Sequence, residues 1–281
     1  MLVLWQLSWL AATLVAFLSV GNKFCRGCVL HGKMRATAKL PRLWLLHVEA
    51  PKSYWTWFYL IGAVHSLLVS LAAVFWQKTR GIQYFLHLAH PDHNDLEVIT
   101  IQPHTVGFLV MFTVHTTRRF LESLFVTSFG DAKMHASSIC HYVGTVQSVL
   151  FDPDSITQHK ETMARRVMAG LGLLLFMFSA YHQIRCNYLL SQQKRANNMK
   201  HVIPRGDWFD VVRSPLYTTE ILLYVSYLLV TGGTITMLYL VSVWVTANQV
   251  VLAYMNSEWM EEKFRDRQNV LPKWKLAPFI W

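Results

Sequence analysis

The sequence predicts an all-α integral membrane protein: a bundle of seven transmembrane helices, N-terminus lumenal, C-terminus cytosolic. Three observations carry this expectation. Hydrophobic residues make up 53% of the 281 and charged residues only 15%, where soluble domains carry about 25%. The apolar residues fall into runs close to the roughly 20 residues that a spanning helix needs. The basic residues collect in alternate connections between those runs, as the positive-inside rule demands.

The first run, residues 2–20, lacks a basic leader and is long for a signal peptide, so it reads as an uncleaved anchor. Runs at 54–76, 98–115, 135–151 and 167–190 follow. The run at 135–151 is the most polar of them, with Ser137, Ser138, His141 and Gln147. Residues 216–254 are long enough for two helices, and Gly232-Gly233 supplies a turn between them. The connection after the first run carries Lys23, Arg26, Lys33, Arg35, Lys39, Arg42 and Lys52. Arg118-Arg119 open the one after the third, and Arg185, Lys194, Arg195, Lys200, Arg205 and Arg213 fill the one after the fifth. Lys263, Arg265, Arg267, Lys273 and Lys275 follow the last. Lys160, Arg165 and Arg166 fall on the opposite side and fit the rule less well.

The net charge of +10 is spread over these connections, which excludes a nucleic-acid-binding surface and fits anionic lipid headgroups or a phosphate-bearing cofactor. The four cysteines make no disulfide framework. Cys25 and Cys28 with His31 form a lone C-x-x-C, too little for a zinc site. His87, His90 and His93, with His104 nearby, read as a solvated loop broken by Pro91, so no metal is expected. The G-x-G-x-x-G fingerprint is absent, and Gly170-Leu171-Gly172 reads as a close helix contact.

Three polar features point into the membrane. Glu220 sits inside an apolar run, and a carboxylate at that depth is a functional hypothesis by default; the plainer reading pairs it with Arg213 at the interface. Glu49 precedes the second run, and His115 closes the third, so both are expected at cytosolic helix ends. A carboxylate beside an imidazole fixes its tautomer and raises its basicity, and such a pair can polarise a carbonyl oxygen. Spacing alone favours the plainer alternative, in which His115 caps its helix and Glu49 pairs with Lys52.

The segment Ile203-Pro204-Arg205-Gly206-Asp207-Trp208-Phe209, followed by Ser214-Pro215-Leu216-Tyr217 and Glu220, resembles the steroid 5α-reductase family. Ala50-Pro51-Lys52-Ser53-Tyr54 with Phe58-Tyr59, His115 through Glu122, His182-Gln183 with Cys186, and Ala277-Pro278-Phe279-Ile280-Trp281 extend the likeness from about residue 48 onward. The branch it resembles most is the polyprenol (polyprenal) reductases of dolichol synthesis, which serves protein N-glycosylation. The resemblance implies one seven-helix domain over 1–281, with NADPH bound by its C-terminal part from about residue 160, in the endoplasmic reticulum membrane. It implies Glu49 as the catalytic carboxylate, with His115 where steroid-reducing members carry tyrosine. Arg118, Gln183, Asn187, Lys194, His201 and Glu220 fall on cofactor-contacting positions, with Arg195 and Arg205 as further phosphate partners. Val202, Leu216, Ser257 and Met260 depart from the family pattern, each removing a polar contact expected in the cofactor pocket.

Hydride adds to a carbon–carbon double bond only when that bond is electron-poor. An enal has such a bond and an allylic alcohol does not, so the expected substrate is polyprenal, a long isoprenoid lipid, rather than polyprenol. A 3-oxo-Δ4-steroid is the alternative substrate. Two other classes compete. Arg213-Ser214-Pro215-Leu216-Tyr217 with Glu220 is similar to an element of membrane methyltransferases that use S-adenosylmethionine, although serine stands where they have histidine. A non-enzymatic seven-helix binding protein is the other, although receptor-type Asp-Arg-Tyr and Asn-Pro-x-x-Tyr elements are absent. No obligate protein partner is expected.

Overall fold

The computed structural model describes residues 2–29, 49–93, 97–129, 133–135 and 141–281, and for residues 27–29, 49, 52 and 133–135 the backbone only. His31 and the side chains of Cys28 and Glu49 therefore lie outside what is described. The chain is mostly helical. Helix α1 spans Leu2–Leu18 and the short α2 spans Lys23–Val29, the side chain of Asn22 accepting from the Phe24 and Cys25 amides at the start of α2. Strand β1, Glu49–Pro51, pairs antiparallel with β2, Lys133–His135, placing Glu49 opposite His135. Helix α3 runs over Trp55–Leu71 and continues as a π-helical turn, Ala72–Trp76. Then come α4 (Arg80–Ala89), α5 (Pro103–Phe125) and α6 (His141–Leu150). The last three are α7 (Met163–Ala196), α8 (Pro215–Val230) and α9 (Thr236–Lys263).

A helix stands within each run the sequence marks out, but the one expected over 135–151 covers only His141–Leu150, with His135 in strand β2. Among the described residues, three helices are long and apolar enough to cross a membrane: Trp55–Trp76, Met163–Ala196 and Thr236–Lys263. Leu2–Leu18 and Pro215–Val230 are shorter apolar helices. Large apolar side chains such as Leu4, Trp57, Leu68 and Leu174 face outward, as they would towards lipid. Tyr239 donates to the Gly233 carbonyl (3.0 Å), and both Gly232 and Gly233 have φ of +67°, a conformation that glycine adopts without a Cβ penalty. This is the predicted turn between α8 and α9.

The third helix differs from its expected bounds. Residues 98–102 are not helical; Gln83 bonds both the amide and the carbonyl of Ile99 (2.9 and 2.8 Å) and Gln77 accepts from the Ile101 amide (3.0 Å). Pro103 then opens α5 at its first turn, where a missing N–H costs nothing. At the other end Arg118 and Arg119 do not begin a loop. Both lie inside the helix, because Glu122 at i+4 and i+3 neutralises them. His115 is accordingly in mid-helix and fully buried rather than a cap.

Packing follows small residues. Gly62, Ala63, Ser66 and Ser70 line the buried face of α3, and hydrogen bonds join Ser66 to Thr116 (3.0 Å) and Ser70 to Thr113 (2.9 Å) on α5. Helix α7 packs along α8, and α1 along α9, where the Trp9 and Trp244 rings are 5.0 Å apart. At Gly172 of α7, a Cβ would come within 2.8 Å of the Val230 amide nitrogen and 2.9 Å of the Ser226 carbonyl. At Gly170 it would meet nothing within 4 Å. Gly172→Ala is therefore expected to destabilise the protein by about 1–3 kcal/mol, the usual cost of overpacking. Gly170→Ala should be neutral or stabilising by up to about 1 kcal/mol, since alanine favours helix. Thermal unfolding of the two variants in the same detergent checks this, and equal midpoints would refute it.

Candidate active site

One face of α5 carries His115, Arg118, Arg119 and Glu122, at i, i+3, i+4 and i+7. One face of α7 carries Gln183, Asn187 and Ser191, four residues apart and all buried. These faces meet Glu220, which enters from the second turn of α8. Arg118 hydrogen-bonds both Glu122 and Gln183 and lies 3.1 Å from His115 Nδ1. Gln183 Nε2 donates to Glu220 Oε2 (2.7 Å). His115 Nε2 stands 3.6 Å from Glu220 Oε1 and 3.4 Å from the Tyr142 hydroxyl of α6. Arg119 bonds Glu122 (2.5 Å) and donates to the Tyr59 hydroxyl (3.0 Å), and Asn187 donates to Glu122 (3.0 Å). Buried polar groups survive in such surroundings only when paired, and this network pairs nearly all of them.

The tautomer of His115 follows from this geometry. A guanidinium has donors and no acceptor, so Nδ1 beside Arg118 must accept, and the ring hydrogen sits on Nε2. The structure therefore directs the imidazole N–H towards Glu220 and Tyr142. The predicted alternative for Glu220 does not hold: Arg213 bonds Ser257 (2.5 Å), the carbonyl of Pro272 (2.8 Å) and Glu261. Ser257 thus fills its departure from the family pattern with a buried bond to Arg213. Met260 is buried with Phe264 and Leu271, and Ile203 and Trp259 pack on them.

The remaining sequence-derived residues lie at or beyond the C-terminal end of α7. Lys194 donates to the Ser128 carbonyl (2.9 Å), and Arg195 donates to the Ser128 hydroxyl (2.9 Å) and the Val126 carbonyl (3.1 Å). Arg205 bonds the Val270 carbonyl (2.6 Å) and lies 4.0 Å from Asp210. The His201 ring is 4.8 Å from that of Trp259. Thus His115, Arg118, Gln183, Asn187 and Glu220 converge, while Lys194, Arg195, His201 and Arg205 lie apart from them. Outside Arg118, an apolar groove of about 510 Å³ runs between α5 and α7, lined by Val114, Thr117, Leu121, Phe125 and Ile184.

Sequence reasoning missed Tyr142, and it named Glu122 and Tyr59 only as parts of longer segments. Glu122 did carry a signal, being an acid three and four residues after two arginines in an apolar stretch. Tyrosines in apolar runs carry none, because they are ordinary core residues.

Comparison with known proteins identifies relatives of this chain. A Xenopus tropicalis protein named polyprenal reductase is 28% identical over 222 residues, covering 73% of this chain and 71% of its own length. A human polyprenal reductase is 28% identical over 203 residues, covering 63% and 62%. Polyprenal reductase 1 of Arabidopsis thaliana is 24% identical over 221 residues, covering 66% and 67%. Residues 132–281, more than half of the sequence, match the family described as 3-oxo-5-alpha-steroid 4-dehydrogenase, and the chain belongs to that family.

Proposed function

We propose that this protein is an NADPH-dependent reductase of the α,β double bond of polyprenal, acting in dolichol synthesis as a multi-pass protein of the endoplasmic reticulum membrane. The observation that carries the reading is His115: a fully buried imidazole whose N–H is aimed at one point beside Glu220, in a family of reductases whose relatives here are named polyprenal reductase. A carbonyl oxygen bound beside that imidazole would gain hydrogen-bond support as negative charge develops. Glu49, in strand β1, is proposed as the carboxylate that assists it. Seven spans with a lumenal N-terminus and a cytosolic C-terminus remain the topology that suits the placement of the basic residues.

The donor set suits NADPH. The Gln183 carboxamide already rests on the Glu220 carboxylate, which is the contact a nicotinamide carboxamide would make there. Lys194, Arg195 and Arg205 would hold phosphates, each retaining N–H donors beyond those given to main-chain carbonyls. NADPH, when bound, supplies the hydride. The chain's own residues polarise the carbonyl, exclude water and hold the ring hydrogen of His115 on Nε2. The apolar groove between α5 and α7 supports a lipid substrate reached from the side.

The test uses membranes from a reductase-null host expressing the chain, offered NADPH with polyprenal or a Δ4-3-ketosteroid separately. The expected result is saturated aldehyde from polyprenal, lost in Glu49→Gln. Turnover of the steroid alone would transfer the reading to 5α-reduction, and turnover of free polyprenol without any alcohol dehydrogenase would overturn the aldehyde assignment.

A further inference from the structure

We infer that Tyr142 is the catalytic donor that reaches the substrate, its hydroxyl giving a hydrogen bond to the substrate's carbonyl oxygen while the His115 N–H supports it from behind. The inference rests on the polyprenal reductase reading of the site. Its starting point is the His115 tautomer: because Arg118 can only donate to Nδ1, Nε2 carries the hydrogen. The Tyr142 oxygen, 3.4 Å from Nε2, is then an acceptor in that contact. Its own hydrogen stays uncommitted, since the imidazole is the phenol's one hydrogen-bond partner among the described residues.

The ring is fixed for such a role. It stacks on Phe58 at 4.7 Å and 22° and stands perpendicular to the Phe112 ring at 5.5 Å and 90°. Gly62 makes room for it: a Cβ there would come within 2.9 Å of Tyr142 Cδ2. Tyr142 is buried, while the Glu220 side chain keeps 14% of its surface exposed, so the cluster is approached from the Glu220 side. A donor held in one place before reaction needs no reorganisation when charge develops. The N–H···O–H···O chain polarises along its length, each bond strengthening the next. Tyr142 keeps its proton throughout, so no group transfer is assigned to it. The arrangement restores a phenol to a site where the resemblance puts histidine in place of tyrosine.

The test compares wild type with Tyr142→Phe, which keeps the ring and its stacking, using purified protein, polyprenal and NADPH. The kcat is expected to fall about 10²–10³-fold, as for loss of one such donor, with the KM for NADPH unchanged. A second readout needs no turnover: the carbonyl stretch of bound saturated aldehyde, the product, should rise in frequency in Tyr142→Phe as its hydrogen bond is lost. Gly62→Ala, which keeps the phenol but displaces the ring, should lower kcat less than Tyr142→Phe does. Wild-type kcat and an unmoved carbonyl band in Tyr142→Phe would overturn the inference alone. Failure of wild-type protein to reduce polyprenal would overturn the underlying activity instead.

Discussion

Replacing Glu122 by glutamine should destabilise the protein by about 3–5 kcal/mol, the usual cost of breaking a buried ion pair by removing one partner. Glu122 is the single carboxylate that both Arg118 and Arg119 bond. Only 13% and 18% of the two arginine side chains is exposed, against 6% for the acid. Their other partners, Gln183, His115 and Tyr59, are uncharged or shared, and Glu220, the cluster's other carboxylate, bonds Gln183 and stands by His115 rather than bonding either guanidinium. Asn187 also donates to Glu122 Oε2, so whichever way the new amide turns, its NH2 meets a donor: Arg118 on one side, or Arg119 and Asn187 on the other. The thermal midpoint should fall on the order of 10 °C for a chain this size, at about 2–4 °C per kcal/mol. Adding Arg119→Met should recover part of the loss, because one orphaned charge goes with its partner. A Glu122→Gln midpoint within a degree or two of wild type would refute the account. The same change should depress activity, since Arg118 sets the His115 tautomer and Glu122 holds Arg118.

That ion-pair cluster also shows where sequence reading reached its limit. The apolar runs were visible because membrane spanning is a question of length and composition, which a single sequence records directly. The α8–α9 turn was visible because two successive residues at φ +67° call for glycine. The end of α5 was misplaced because two adjacent arginines normally stop an apolar run, and their neutraliser, Glu122, lies one turn further on. Helix α7 outruns its expected bounds for a similar reason: Lys194 and Arg195 at its end are held by carbonyls of the segment at 126–128, a tertiary contact with no local trace.

For the site, the sequence flags Glu220 inside an apolar run and His115 at the end of one, and it is the family resemblance that joins His115 to Glu49. The meeting of His115 with Glu220 depends on how α5, α7 and α8 pack. Tyr142 was invisible because its importance comes from Gly62, Phe58 and Phe112 on other helices. The small-residue face of α3 that admits it reads, in sequence alone, as ordinary helix packing.

Glu220→Gln should abolish most activity although it changes neither size nor shape. The carboxylate accepts from Gln183 Nε2 with one oxygen and faces the His115 N–H with the other. An amide at 220 offers one acceptor and one donor, so either orientation sets an N–H against an N–H. A conflict of this kind costs a buried hydrogen bond and misdirects the imidazole. The expected loss is about 100-fold in kcat/KM, or about 2.7 kcal/mol at 1.36 kcal/mol per decade. The structure also states the remedy. Gln183→Glu added to Glu220→Gln puts the carboxylate at 183, where it accepts from Arg118, as Gln183 does now, and from the new amide at 220. The oxygen of that amide is then free to face the His115 N–H. The double variant should regain the wild-type thermal midpoint. If Glu220 also takes the nicotinamide carboxamide, the KM for NADPH should stay raised in the double variant, because an amide replaces the carboxylate there. Wild-type turnover in the single variant would remove Glu220 from the mechanism, and a double variant no more stable than the single one would show that the 183–220 pair is not the contact that matters.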